Sequence, residues 1–200
     1  MSELFKDEFE SQSVRELYRK MKKTAKARFN FARRLQSQHN LTAWTLSLFS
    51  AGLLIISTAK EFGVPISVED AWFKFIQFTL GIVILVISLL LNSSRSSERS
   101  ETMHRCALEI NQLVHELLPS CKDESNEEIY EKIQFRYSNI LNTYENHEPI
   151  DFQRVMLDYP DHYGITKKFR VYYNIRYILG FSVQIALILL LLATAIITFL

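Results

Sequence analysis

At 200 residues the chain has the length of one domain, and its 23 Lys and Arg nearly cancel its 22 Asp and Glu, so no basic patch argues for nucleic acid. A hydrophobic share of 48% and a charged share of 22% look like a soluble protein only as averages, because the apolar residues gather in three charge-free blocks. The two cysteines, Cys106 and Cys121, lack the C-x-x-C spacing of a thiolate metal site and are expected as reduced thiols.

Residues 1–40 contain no short apolar stretch followed by a small-residue cleavage site, so no removable signal is expected and the first apolar block would act as an uncleaved anchor. Val14, Leu17, Met21, Ala25, Phe29, Ala32 and Leu35 recur at spacings of three or four, which predicts a helix over 14–39 that feeds into that block. Its basic residues either belong to a packed helix or lie on anionic headgroups.

Residues 41–59, LTAWTLSLFSAGLLIISTA, carry no charge, and about 20 such residues at a 1.5 Å rise cross a hydrocarbon core. A second block over 75–91 and a third over 177–200 have the same character. Lys22, Lys23, Lys26, Arg28, Arg33 and Arg34 precede the first block, against Lys60 and Lys74 in the next loop. The positive-inside rule therefore places the N-terminus in the cytosol. Arg95, Arg99 and Arg105 return the chain to that side, and Lys167, Lys168, Arg170 and Arg176 send it out again, leaving the C-terminus external.

Past the second block, Met103, Ala107, Ile110, Val114 and Leu117 alternate by four and three, so that span is expected to continue as a heptad-patterned helix until Pro119. Ser125 and Glu128 form a capping box for a further helix carrying Ile129, Ile133, Tyr137, Ile140, Leu141 and Tyr144. A last helix is expected from about Thr166, running unbroken into the third block. The fold class is an all-α membrane protein: an antiparallel hairpin of two long helices spanning the membrane and extending into the cytosol, with further cytosolic helices and a C-terminal transmembrane helix. Its divisions are a basic N-terminal region 1–40, a hairpin 41–91, a cytosolic region 92–176 and a final span 177–200.

No nucleophile elbow, phosphate-cradling glycine loop or H-E-x-x-H helix is present, so no catalytic residue, metal or cofactor is assigned and the chain is not expected to be an enzyme. His147, Asp151, Asp158, Asp161 and His162 could gather around a metal, or Asn146, His147 and Asp151 could cap neighbouring helices. Within the blocks, Ser47, Ser50, Ser57, Gln77, Gly81, Ser88, Gly180 and Gln184 form small or weakly polar faces. These suit either close helix packing or, in a homo-oligomer, the wall of a pore.

The basic helix ending in Arg33 and Arg34, the charge-free hairpin and the sequence YENHEPIDF, with Asn146, His147 and Asp151 in N-H-x-x-x-D spacing, together resemble the SLATT family. These are bacterial membrane modules associated with nucleotide-signalling and anti-phage systems, and the likeness is to the branch with an added C-terminal hydrophobic helix. The resemblance implies a multi-pass effector of the bacterial inner membrane that oligomerises among membrane lipids and opens a pore in abortive infection. It also implies a cytosolic signalling partner, either reverse-transcriptase-like or nucleotide-synthesising, and a structural or signal-coupling role for Asn146, His147 and Asp151. The alternative is a non-conducting scaffold for such a partner, or a small membrane enzyme.

Overall fold

The computed structural model describes residues 12–65, 68–118 and 127–199, and every element among them is a helix. In chain order these are α1 (Gln12–Glu61), α2 (Asp70–Ser93), α3 (Ser96–Leu117), α4 (Glu127–Thr143), α5 (Pro149–Asp158), α6 (Pro160–Tyr163), α7 (Lys167–Leu179) and α8 (Ser182–Phe199). The chain divides into two compact units. One is drawn from the chain up to Leu35 and from Ser97–Tyr177, the other from Gln36–Ser96 and Ile178–Leu200. α1 supplies residues to both units.

In the first unit, Leu17, Tyr18, Met21 and Ala25 of α1 meet Cys106, Ile110, Leu113, Val114 and Leu117 of α3 and Ile133 and Tyr137 of α4. The α1 and α3 chains are antiparallel, because Arg28 reaches Cys106 while Ala32, one turn later, accepts a hydrogen bond from Ser100 at 2.8 Å. Thr24 and Tyr137 share a hydrogen bond of 2.8 Å that brings α4 onto the same seam. Of the expected α1 stripe, Leu17, Met21, Ala25, Ala32 and Leu35 are buried, so this basic helix is a core helix of the unit rather than one laid bare for headgroups. The positions that the expected stripe omits are Tyr18, Ala27, Arg28 and Phe31, all buried.

The two expected continuities come out differently. From α2 to α3 the helix runs from Asp70 to Leu117 with a local interruption at Ser94 and Arg95, where Arg95 takes a positive φ of 47°. The serine hydroxyls explain it: Ser94 donates to the Leu91 carbonyl and pairs with Ser96, both at 2.8 Å, which offers the backbone an alternative to the helical ladder. Between α7 and α8 the helix breaks at Gly180 and Phe181, the glycine lowering the cost of leaving helical geometry. The Gly180 carbonyl so released accepts Gln38 Nε2 at 2.8 Å. The expected Ser125 capping box lies outside the described residues, as does Cys121, and α4 is described from Glu127.

The second unit contains the apolar parts of α1 and α2 together with α8. Among the described residues two helices are long and apolar enough to cross a membrane, or three if the bent pair of α7 and α8 is one span, and in the most apolar window of α2, of mean hydropathy 2.3, only 6% is buried by protein. Trp44, Leu54, Phe78, Leu89 and Leu90 are likewise bare. A water-soluble fold would hide such surface; a bilayer covers it.

Leu113 is 1% exposed in the three-helix seam. Leu113→Ala is expected to cost about 2–5 kcal/mol in denaturation of the detergent-solubilised protein. Leu108→Ala, at a half-exposed position of the same helix, should change the transition little.

Candidate functional site

The N-H-x-x-x-D sequence surrounds the start of α5. Pro149 opens that helix, where its missing N–H costs nothing, and Glu148 is the N-cap. Asp151 stands at the third helical position, where its carboxylate accepts the Glu148 backbone N–H at 3.2 Å. Asp151, expected as a cap of this helix, thus serves it from the third position by reaching back, while Glu148 is the N-cap itself. Asn146 is exposed.

Asp151 is 3% exposed, and its second task is to receive Arg34 from α1. Arg34 Nε donates to one carboxylate oxygen and Nη2 to the other, each at 2.9 Å, and Nη2 also lies 3.1 Å from Glu148. This fork-to-fork geometry is the strongest form of a charge-assisted pair. Burial alone would lower the Arg34 pKa, but the Asp151 bonds and charge, followed by those of Glu148, outweigh it and raise the value. Asn30, one turn earlier, donates to the Asp151 backbone carbonyl at 3.3 Å. Lys26, another turn back, pairs with Asp158 at 2.9 Å and lies over the Tyr159 ring, 4.6 Å from its centroid. One face of α1 therefore grips α5 along its whole length.

Beside these contacts is a buried charge that the hydropathy pattern conceals. Arg28 is fully buried; its Nη1 donates to Cys106 Sγ at 2.7 Å, while Nε and Nη2 have no hydrogen-bond partner among the described residues. Burial pushes the Cys106 thiol up, against the opposing effect of Arg28. His147, whose buried Nδ1 has no partner among the described residues, is held below its ordinary value, first by burial and then by the Arg28 charge, with Asp151 acting the other way. The candidate metal set does not gather: Asp151 and Asp158 are taken by Arg34 and Lys26, and no group of three potential ligands exists among the described residues.

Arg34 and Asp151 form part of the wall of a cleft of about 330 Å³, completed by Asn30, Arg33, Arg154, Tyr173, Asn174 and Tyr177. Sequence reasoning had singled out Arg33, Arg34 and Asp151 without joining them, and passed over Arg154 and Asn174. Nothing in local spacing connects α7 to α1. Arg28 was legible, since Met21, Ala25, Arg28, Ala32 and Leu35 follow a four-three alternation that Phe29 does not.

In the second unit the polar span residues separate into two kinds. Gln77 Nε2 donates to Ser57 Oγ at 2.5 Å, and Gln184 Nε2 donates to Thr42 Oγ1 at 2.7 Å, so these join helices within one subunit. Ser47 and Ser50 bond the carbonyls four residues back. Gly81 and Ser88 are exposed, and a side chain added at Gly81 would meet nothing within 4 Å.

This combination of a charge-locked helical unit and two bare apolar helices agrees with a comparison of the chain against known families, in which residues 10–200 match the SMODS and SLOG-associating 2TM effector domain family 5. The chain belongs to that family. No curated protein and no solved structure matches it. This SLATT protein is thus an all-α membrane effector, and the match extends through α8, beyond the two helices counted in the family's description.

Two outcomes test the charge arrangement of this SLATT chain. Asp151→Ala leaves the nearly buried Arg34 without its main anion and is expected to lower stability by about 3–5 kcal/mol, whereas the apolar pair Arg34→Met with Asp151→Leu should recover most of the loss, as read by denaturation in detergent. His147 has a depressed folded-state pKa, so the unfolded chain binds the proton first as pH falls. Its contribution is fully present above the ordinary value of 6.5 and is lost as pH drops from there through the folded-state value. The melting temperature should fall over that window, and His147→Gln should flatten the fall.

Proposed function

We propose that the protein is an effector of a bacterial anti-phage system, lodged in the inner membrane with its N-terminus in the cytosol and its C-terminus outside. On a trigger, copies assemble into a pore that depolarises the cell and aborts infection. The observation that carries this reading is the bare α2: a helix 6% buried in its most apolar window, with Gly81 and Ser88 on its open surface, has faces to offer both lipid and other copies of the chain. A single subunit with two or three spans encloses no aqueous path, so conduction requires symmetric copies. The third crossing in this reading is α8, which contains no charged residue. The first unit receives the trigger from a cytosolic partner, a reverse-transcriptase-like or nucleotide-synthesising protein.

A second reading, a non-conducting membrane scaffold, is favoured by the polar pairs Gln77 with Ser57 and Gln184 with Thr42. Hydrogen bonds of this kind across membrane helices contribute about 0.6 kcal/mol on average, and here they consume groups that would otherwise face a pore. Membrane potential measured in cells expressing the chain with and without its genomic neighbours separates the readings. A pore gives depolarisation that Ser88→Leu or Ser47→Leu abolishes with assembly intact, while Gln77→Leu acts through packing and lowers the amount of folded protein. Unchanged potential on triggering, with protection from phage retained, would establish the scaffold.

A further inference from the structure

We propose that the cleft between α1, α5 and α7 is a binding site for a phosphate-bearing anion. Three guanidiniums, from Arg33, Arg34 and Arg154, line it against the single carboxylate of Asp151. These arginines are not equivalent. Arg34 is consumed by Asp151 and Glu148 and forms a fixed wall. Arg33 is exposed and has no acidic partner among the described residues. Arg154 is half exposed, and its Nε stands 3.9 Å from Asp158, a carboxylate already engaged by Lys26 at 2.9 Å.

Two guanidiniums therefore remain with donor capacity to spare over a concave floor. The planar fork of arginine matches the oxygens of a phosphate in a way that a lysine ammonium does not.

The rest of the lining suits the same class of ligand. Asn30 and Asn174 place amides at the rim, Asn30 being oriented by the Asp151 carbonyl. Tyr173 and Tyr177 lie with ring centroids 5.9 Å apart and planes 27° from parallel, giving an aromatic wall for whatever the phosphate carries. Tyr173 is buried, which pushes its pKa up, and the neighbouring Arg154 guanidinium acts the other way. A volume of about 330 Å³ is at the lower end of small-molecule sites, enough for a phosphate ester group rather than a large ligand. Topogenic charge accounts for arginines ahead of a span, but it gives no reason for them to share a cleft with two amides and a tyrosine pair.

A phosphate ester reaches this site either free in the cytosol or as a lipid headgroup, since Arg34 precedes the first charge-free block by seven residues and Tyr177 opens the third. The inference stands apart from conduction, and the test reads binding alone. Full-length protein is reconstituted in nanodiscs of phosphatidylcholine and titrated with inorganic pyrophosphate, and in a second arm is reconstituted in nanodiscs containing phosphatidylglycerol, with thermal unfolding as the readout. A response to pyrophosphate identifies a free phosphate ligand; a response to phosphatidylglycerol alone identifies a headgroup.

In the responding arm, Arg33→Gln with Arg154→Gln is expected to weaken the effect about tenfold or more, and Lys132→Gln with Lys168→Gln, which removes the same charge elsewhere, to leave it intact. Asn174→Trp keeps every charge and fills the cleft, so it should abolish the response even if the arginine variant folds poorly. No response in either arm, equal weakening by the two double variants, or full response in Asn174→Trp would overturn the assignment.

Discussion

The paired hydrogen bonds from Arg34 to Asp151 organise the first unit of this protein. A guanidinium and a carboxylate, both largely withdrawn from water, are stable only while each answers the other, so α1 and α5 are bound in one register. Several features follow from that register. The Asp151 carboxylate that receives Arg34 also caps its own helix through the Glu148 N–H. Its backbone carbonyl orients Asn30, and the segment carrying His147 is brought close enough to Arg28 for the histidine to feel its charge. The cleft exists because α5 is pinned at this height on α1, with α7 closing the other side.

The spans obey a different constraint. In hydrocarbon an unpaired polar group is expensive, and the chain meets the cost locally: serines and threonines bond the carbonyl one turn back, and the two glutamines find hydroxyls on neighbouring helices. What remains outside those pairings is nearly all hydrocarbon, with small residues at intervals. Such a surface is neutral toward lipid and permits close approach by another helix.

Much of this was legible beforehand, for identifiable reasons. Apolar blocks about 20 residues long announce themselves because length and charge-free composition are one-dimensional properties, and the stripe of Leu17, Met21, Ala25, Ala32 and Leu35 announces a packed helix because 3.6-residue periodicity needs no partner to be seen. Asn146, His147 and Asp151 stood out as a cluster, but not what Asp151 does, since its partner lies 117 residues away in the chain. The helix interruptions at Ser94 and at Gly180 were missed because each depends on a side chain competing for, or compensating, a single backbone group. Arg28 was counted only among the basic residues ahead of the first block, since arginine is rarely buried, although its place in the four-three alternation pointed inward.

The amino-acid order by itself determined the helical class, the membrane address and the family, because these rest on composition, spacing and local motifs that any stretch of chain carries with it. Tertiary structure alone decided which polar span residues are spent inside the subunit, which arginines are neutralised and which stay available. Pairing between distant segments is a matter of three-dimensional proximity, and a guanidinium has a different chemical meaning when a carboxylate lies 2.9 Å away than when none does.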